Sequence, residues 1–106
     1  MKTKIARNLP TQIVHDIGSK IVHGEIATGT ILTSDILEEK FKVSRTVVRE
    51  ALKVLQDKGL TKARTKTGTI VLERSQWNLL DPDVISWLQV SGLSPELVRD
   101  LEKVRA

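Results

Sequence analysis

Two arginines, a serine and a threonine lie together in Ser44-Arg45-Thr46-Val47-Val48-Arg49. An arginine guanidinium carries five N–H donors in a planar fork, a shape that matches the O6 and N7 acceptors of guanine in the major groove of duplex DNA. The four-residue spacing of Arg45 and Arg49 puts both on one face of a helix. Ser44 can start that helix by accepting a hydrogen bond from a free N-terminal amide. Val48, Ala51, Leu52 and Leu55 recur at three- and four-residue intervals and predict a buried face behind the arginines. A helix held from behind, with two cations one turn apart in front, suits the major groove.

Such a helix needs a scaffold, and the flanking sequence supplies one. Thr33 or Ser34 can cap a shorter helix running to about Phe41, with Ile36, Leu37 and Phe41 on its apolar side. Lys42 and Val43 make the turn into the arginine-bearing helix, which continues to Lys58 and stops at Gly59. Two short helices joined by a few residues, the second bearing the cations, form a helix-turn-helix. Upstream, Asn8-Leu9-Pro10 marks a helix start whose Ile13, Val14, Ile17 and Ile21 share a face, with Gly24 as its stop. Residues 25–32 read as a turn leading into a brief extended piece. Beyond Gly59 the period becomes that of strands, over residues 60–65 and 69–73, with Lys66-Thr67-Gly68 as the hairpin tip. Arg64 and Lys66 place positive charge near that tip, and Gly68 allows close backbone approach. A hairpin of this kind is a wing that can reach phosphates or an adjacent minor groove.

Charge follows the same division. The chain of 106 residues holds 17 basic and 13 acidic side chains, a net charge of +4. Residues 1–74 contain 14 basic and 8 acidic groups, whereas residues 75–106 contain 3 and 5. A basic module followed by a mildly acidic segment points to a polyanionic partner for the first part. Cysteine is absent, which excludes disulfides and thiolate zinc sites. No signal peptide is apparent, and no apolar run has the length to span a bilayer, so the expectation is a cytoplasmic protein without a membrane partner.

The last third changes character. Residues 75–80 form a connector, and Asp81-Pro82-Asp83 caps a short helix rich in Val84, Ile85, Trp87, Leu88 and Val90. Ser94 caps another, on which Leu97, Leu101 and Val104 form a stripe. So much apolar area on two short helices needs a partner surface. The expected organisation is a DNA-binding domain over residues 1–74. Residues 75–106 are then a linker and the first helices of a larger effector-binding domain that the sequence does not contain. As a monomer this segment is expected to be unstable or mobile, because Trp87, Leu88, Leu97 and Leu101 lack the rest of their core, with packing on the winged domain or on a second copy as the alternatives.

At this point the sequence resembles the GntR family of bacterial transcription regulators, in its FadR-type subgroup. The resemblance rests on Gly29-Thr30-Ile31-Leu32, Leu37-Glu38-Glu39-Lys40-Phe41, Val43-Ser44-Arg45-Thr46 and Val48-Arg49-Glu50-Ala51-Leu52, completed by Leu55, Gly59-Leu60 and Gly68-Thr69. It implies a mainly α fold with a small β wing (α+β), a winged helix-turn-helix followed by short helices of a truncated all-α domain. Arg45 and Arg49 match positions that contact operator bases or phosphates, Thr46 matches a position near DNA, and Thr67 and Gly68 match the wing tip. With Lys42, Ser44, Arg64 and Lys66 they make up the expected DNA-binding set. Asp35 stands where relatives often place a DNA-contacting arginine, Lys42 replaces the usual glycine of the turn, and Val47 replaces a common proline.

Residues 77–88, from Trp77-Asn78-Leu79-Leu80 through Trp87-Leu88, resemble the junction of FadR-type regulators of sugar-acid catabolism, galactonate-type repressors among them. The resemblance implies a dimer on a short inverted repeat of double-stranded DNA, released when a small sugar acid binds the absent domain. In many relatives that domain holds its carboxylate ligand through a metal bound by an aspartate and histidines. None of those positions falls within residues 1–106, so no cofactor is expected in this part. His15 and His23, in or beside the first helix, do not match them.

Plainer readings stand beside these. The arginines and the hairpin cations Lys62, Arg64 and Lys66 could form an ordinary solvated face. Lys2, Lys4 and Arg7 could be a tail with nonspecific attraction for DNA, and Trp77 and Trp87 read as packing residues. No nucleophile–base pair or phosphate-cradling loop supports an enzyme. The competing class is a winged-helix protein-interaction module without specific DNA binding.

Overall fold

The structure is a computed structural model and describes residues 9–64 and 68–90. Helix α1 (Leu9–Val22) buries Ile13, Val14, Ile17 and Ile21, the face its spacing predicts. A two-residue strand β1 (Ile31–Leu32) follows. Helix α2 (Ser34–Phe41) is capped by Thr33, whose hydroxyl accepts a bond from the Ile36 amide at 3.3 Å. It ends at Lys42, which takes the left-handed conformation at φ 57°. This is the turn position at which glycine would be free of strain, and a lysine adopts it at a cost of about 1–2 kcal/mol.

Helix α3 (Arg45–Asp57) starts at Ser44, whose hydroxyl accepts from the Val47 amide at 3.3 Å. Val48, Ala51 and Leu55 on its inner face are completely buried. They meet α1, so the first helix is the wall against which the arginine-bearing helix is held. Burial of each large apolar side chain contributes about 1.5–3 kcal/mol. Ile36 departs from expectation: it is 58 % exposed, and Leu37 alone on α2 is fully buried. An eight-residue helix packed along one side offers the core a single narrow stripe.

Strands β2 (Thr61–Arg64) and β3 (Gly68–Val71) pair antiparallel, with Arg64 opposite Gly68 at the tip end. Both are shorter than expected. Leu60 serves the core instead, at 0 % exposure. The sheet has three strands in the order β1-β3-β2, because β1 pairs with β3 through Ile31 opposite Ile70 and Leu32 opposite Thr69. Thus the extended piece before α2 clamps the wing to the start of the helix-turn-helix. Gly68, at φ 100°, sits where an added Cβ would press on the Leu32 carbonyl at 2.7 Å. Its close backbone approach is to β1 inside the sheet.

After a short 3-10 turn (Arg74–Gln76), helix α4 (Pro82–Val90) returns to α1. Asp81 caps it, its Oδ1 accepting from the Asp83 and Val84 amides at 2.8 and 3.1 Å. Val84 and Trp87 join the common core, at 0 % and 5 % exposure. The Trp87 ring lies directly over Gly18 of α1, where a Cβ would collide with it. Its indole N–H donates to His15 Nδ1 at 3.2 Å. Of the alternatives open to this segment, packing on the winged domain is the one adopted by Val84 and Trp87. The cap at Asn8, the basic residues before it, the wing-tip residues Lys66 and Thr67, and the second stripe from Ser94 to Val104 lie outside the described residues.

Candidate nucleic-acid interface

The outer face of α3 is the polar one. Arg45, Thr46 and Arg49 are exposed, opposite the buried Val48, Ala51 and Leu55. Arg45 and Arg49 line an open cleft together with Thr33, Ser34 and Asp35 at the start of α2, and with Ala63, Arg64 and Gly68 of the wing. Four of the expected DNA-binding residues, Arg45, Arg49, Arg64 and Gly68, are therefore brought into one concavity. Thr46 is exposed on α3 but outside that lining, and Ser44 spends its hydroxyl on the helix cap. Lys42 projects into solvent in the interhelical turn, 4.0 Å from Glu39, an exposed pair of little energetic weight.

The two arginines differ in their surroundings. Arg49 makes no ion pair among the described residues, and neither does Arg64. Arg45 is held by two carboxylates of α2. Its Nε donates to Glu38 Oε2 at 3.1 Å, and its NH2 nitrogen reaches Asp35 Oδ1 at 3.5 Å. The hydrogen bond and charge of Glu38, with the charge of Asp35, hold the Arg45 guanidinium above the ordinary arginine value. The α3 N-terminus has no acidic residue in its first turn, so its free amides and partial positive charge remain available to an anion.

Sequence reasoning named neither Thr33, Ser34 and Ala63 as cleft walls nor Glu38 as a partner of Arg45. The seven-residue separation of Glu38 and Arg45 spans a turn, and no helical period relates them. It also missed the ionic anchor behind α3. Lys58, at the end of that helix, is only 6 % exposed and lies 3.1 Å from Asp81 and 2.6 Å from Asp83. Its ammonium also lies 5.8 Å from the centroid of the Trp87 ring. Burial disfavours its charge, but hydrogen bonds to Asp83 and Asp81 outweigh that and keep the Lys58 pKa above 10.5. Burial likewise acts against the Asp81 carboxylate. The amides of Val84 and Asp83 and the Lys58 ammonium overcome it, and Asp81 titrates below 3.8.

Among the described residues there is no cluster of side chains able to hold a metal ion and no helix long and apolar enough to cross a membrane. The model of the bacterial regulatory proteins, gntR family, matches residues 9–71, from α1 to the end of β3. An uncharacterized HTH-type transcriptional regulator of Escherichia coli, YieP, is 43% identical over 82 residues, covering 76% of this chain and 36% of its own. The galactonate operon transcriptional repressor of the same organism is 35% identical over 99 residues, covering 92% of this chain and 43% of its own. The chain thus spans less than half the length of either relative. Streptococcal BusR (S. agalactiae), solved in complex with its busAB-promotor DNA, superposes with a TM-score of 0.60 over 92% of this chain and 47% of its own. At 21% identity it attests the shared mainly helical, winged fold. With the family pattern running from the first helix through the wing, the chain belongs to the gntR family of bacterial regulatory proteins, which are transcription regulators and not enzymes.

Proposed function

We propose that this chain carries the operator-reading part of a transcription repressor that binds a short inverted repeat as a symmetric homodimer. The observation that carries the reading is the two-sided character of α3. Val48, Ala51 and Leu55 lock one face into the core, while Arg45, Thr46 and Arg49 are exposed on the other, and Arg45 and Arg49 share a cleft with Arg64 and Gly68. In this reading Arg45 and Arg49 read bases, and Lys42, Arg64 and the wing-tip residues Lys66 and Thr67 hold phosphate. Ser44 and the neighbouring α3 amides add an anion-binding helix start. One such helix contacts too few base pairs to define an operator, and two copies on a palindrome remedy this.

Residues 1–74 are the DNA-binding domain in this proposal, and residues 75–106 lead into an effector domain. The similarity to the galactonate operon repressor supports a sugar acid as the effector and a cytoplasmic site of action. Ligand would favour a dimer geometry whose two α3 helices no longer match the half-sites. The test is selection of duplexes from a random pool by the full-length protein at physiological salt, followed by titration with aldonic acids. Enrichment of an inverted repeat, with release by an aldonate, is the expected outcome. A pool that stays random contradicts DNA reading and favours a protein-interaction module. Enrichment without response to any aldonate removes the sugar-acid assignment alone.

A further inference from the structure

The cleft between α2, α3 and the wing contains an acidic wall that ordinary DNA attraction does not explain. Asp35 is 86 % exposed in its side chain and lines the same concavity as Arg45, Arg49 and Arg64. A carboxylate at that place repels phosphate and lowers the affinity of the cleft for any duplex. Glu38 is more sheltered, at 27 % side-chain exposure, on the same helix one turn further on. Both carboxylates converge on one guanidinium.

Their positions on that guanidinium are specific. Glu38 takes the Nε–H, and Asp35 approaches Nη2, the terminal nitrogen on the Nε–H edge of the planar group. Together they engage the two nitrogens that form the lateral edge of the fork. Nη1 makes no hydrogen bond among the described residues, so the end-on edge, which Nη1 forms with Nη2, keeps donors for a partner in the cleft. That edge makes the bidentate contact with guanine O6 and N7. An arginine tethered in this way loses less freedom on meeting a base, and it is restrained from swinging to a nearby phosphate.

We infer that Asp35 and Glu38 are specificity-determining positioning residues, which clamp the lateral edge of Arg45 so that its end-on edge reads a base and its charge is withheld from the DNA backbone. This rests on the DNA-reading role proposed above. The clamp lowers total affinity and raises discrimination. Removing it turns Arg45 into a mobile cation that adds a phosphate contact to every duplex.

The experiment compares full-length wild type, Asp35→Asn, Glu38→Gln and the double variant on the preferred duplex and a scrambled duplex across a salt series. Each variant is repeated in an Arg45→Ala background. The double variant is expected to bind scrambled DNA more tightly and to lose about tenfold in the preferred-to-scrambled ratio, the order of one bidentate contact. Its slope of log affinity against log salt on scrambled DNA should steepen by about 0.9, the increment for one additional phosphate. In the Arg45→Ala background the same substitutions should leave the ratio unchanged, because the residue they position is gone. Discrimination that survives in the double variant overturns the clamp while the DNA-reading role stands. An equal loss of discrimination with and without Arg45 also overturns it, since the carboxylates would then act by themselves. Wild type that binds both duplexes alike removes the base-reading role and the clamp with it.

Discussion

Arg49 and Arg64 share the cleft but arrive from different elements, one on the helix and one on the wing, and their chemistry there should differ accordingly. Arg49→Ala is expected to cost about 1–3 kcal/mol on the preferred duplex and to relax the sequence preference. Arg64→Ala should weaken preferred and scrambled duplexes alike and reduce the salt slope by about 0.9. Binding isotherms at several salt concentrations separate the two, and a change of preferred sequence by Arg64→Ala alone would reverse the assignment. Lys42 carries a second residue-scale test. Its φ of 57° strains a side-chain-bearing residue, so Lys42→Gly should stabilise the domain by about 1 kcal/mol in urea unfolding. The same substitution should weaken DNA binding without altering sequence preference, because only a phosphate contact is removed.

Among the elements, α3 and its cap were legible from the sequence because Ser44, Val48, Ala51 and Leu55 are read by one helical period with an N-cap. Helix α1 was equally legible from Ile13, Val14, Ile17 and Ile21. Strand β1 was not readable as a sheet member: two residues have no alternation, and their partner Ile70 lies far along the chain. The docking of α4 was left open, since the contact of Trp87 with Gly18 joins residues unrelated by any local pattern. Lys58 was read only as a helix end, and its burial became intelligible through Asp81 and Asp83. This anchor ties the far end of α3 to the start of α4. The lowered pKa of Asp81 means its contribution is present above about pH 4 and is lost as the pH falls through its folded value. The raised pKa of Lys58 means its contribution is complete below about pH 10 and is lost as the pH rises through its folded value. Asp81→Asn, which keeps a capping oxygen, should cost about 1 kcal/mol between these limits and flatten the acid limb of a urea-midpoint profile. An unchanged acid limb would show that the Asp81 charge plays no part in holding α4.

For the whole molecule, the proposed reading of an operator calls for two chains, because each contributes one α3. Centres of half-sites in such complexes fall about 34 Å apart, one helical turn of DNA or a multiple of it. Of the cleft residues, the sequence named Arg45, Arg49, Arg64 and Gly68 by type and resemblance but not Thr33, Ser34 or Ala63, and the contacts of Glu38 and Asp35 with Arg45 appeared only once α2 and α3 were packed. The most direct measurement is dimethyl sulfate footprinting of the preferred duplex, because guanine N7 lies in the major groove where α3 is proposed to bind. Wild type should protect guanine N7 in two symmetric patches, and Arg45→Ala should lose protection at one guanine in each. Guanines that remain fully reactive while the protein is bound would contradict major-groove reading by α3.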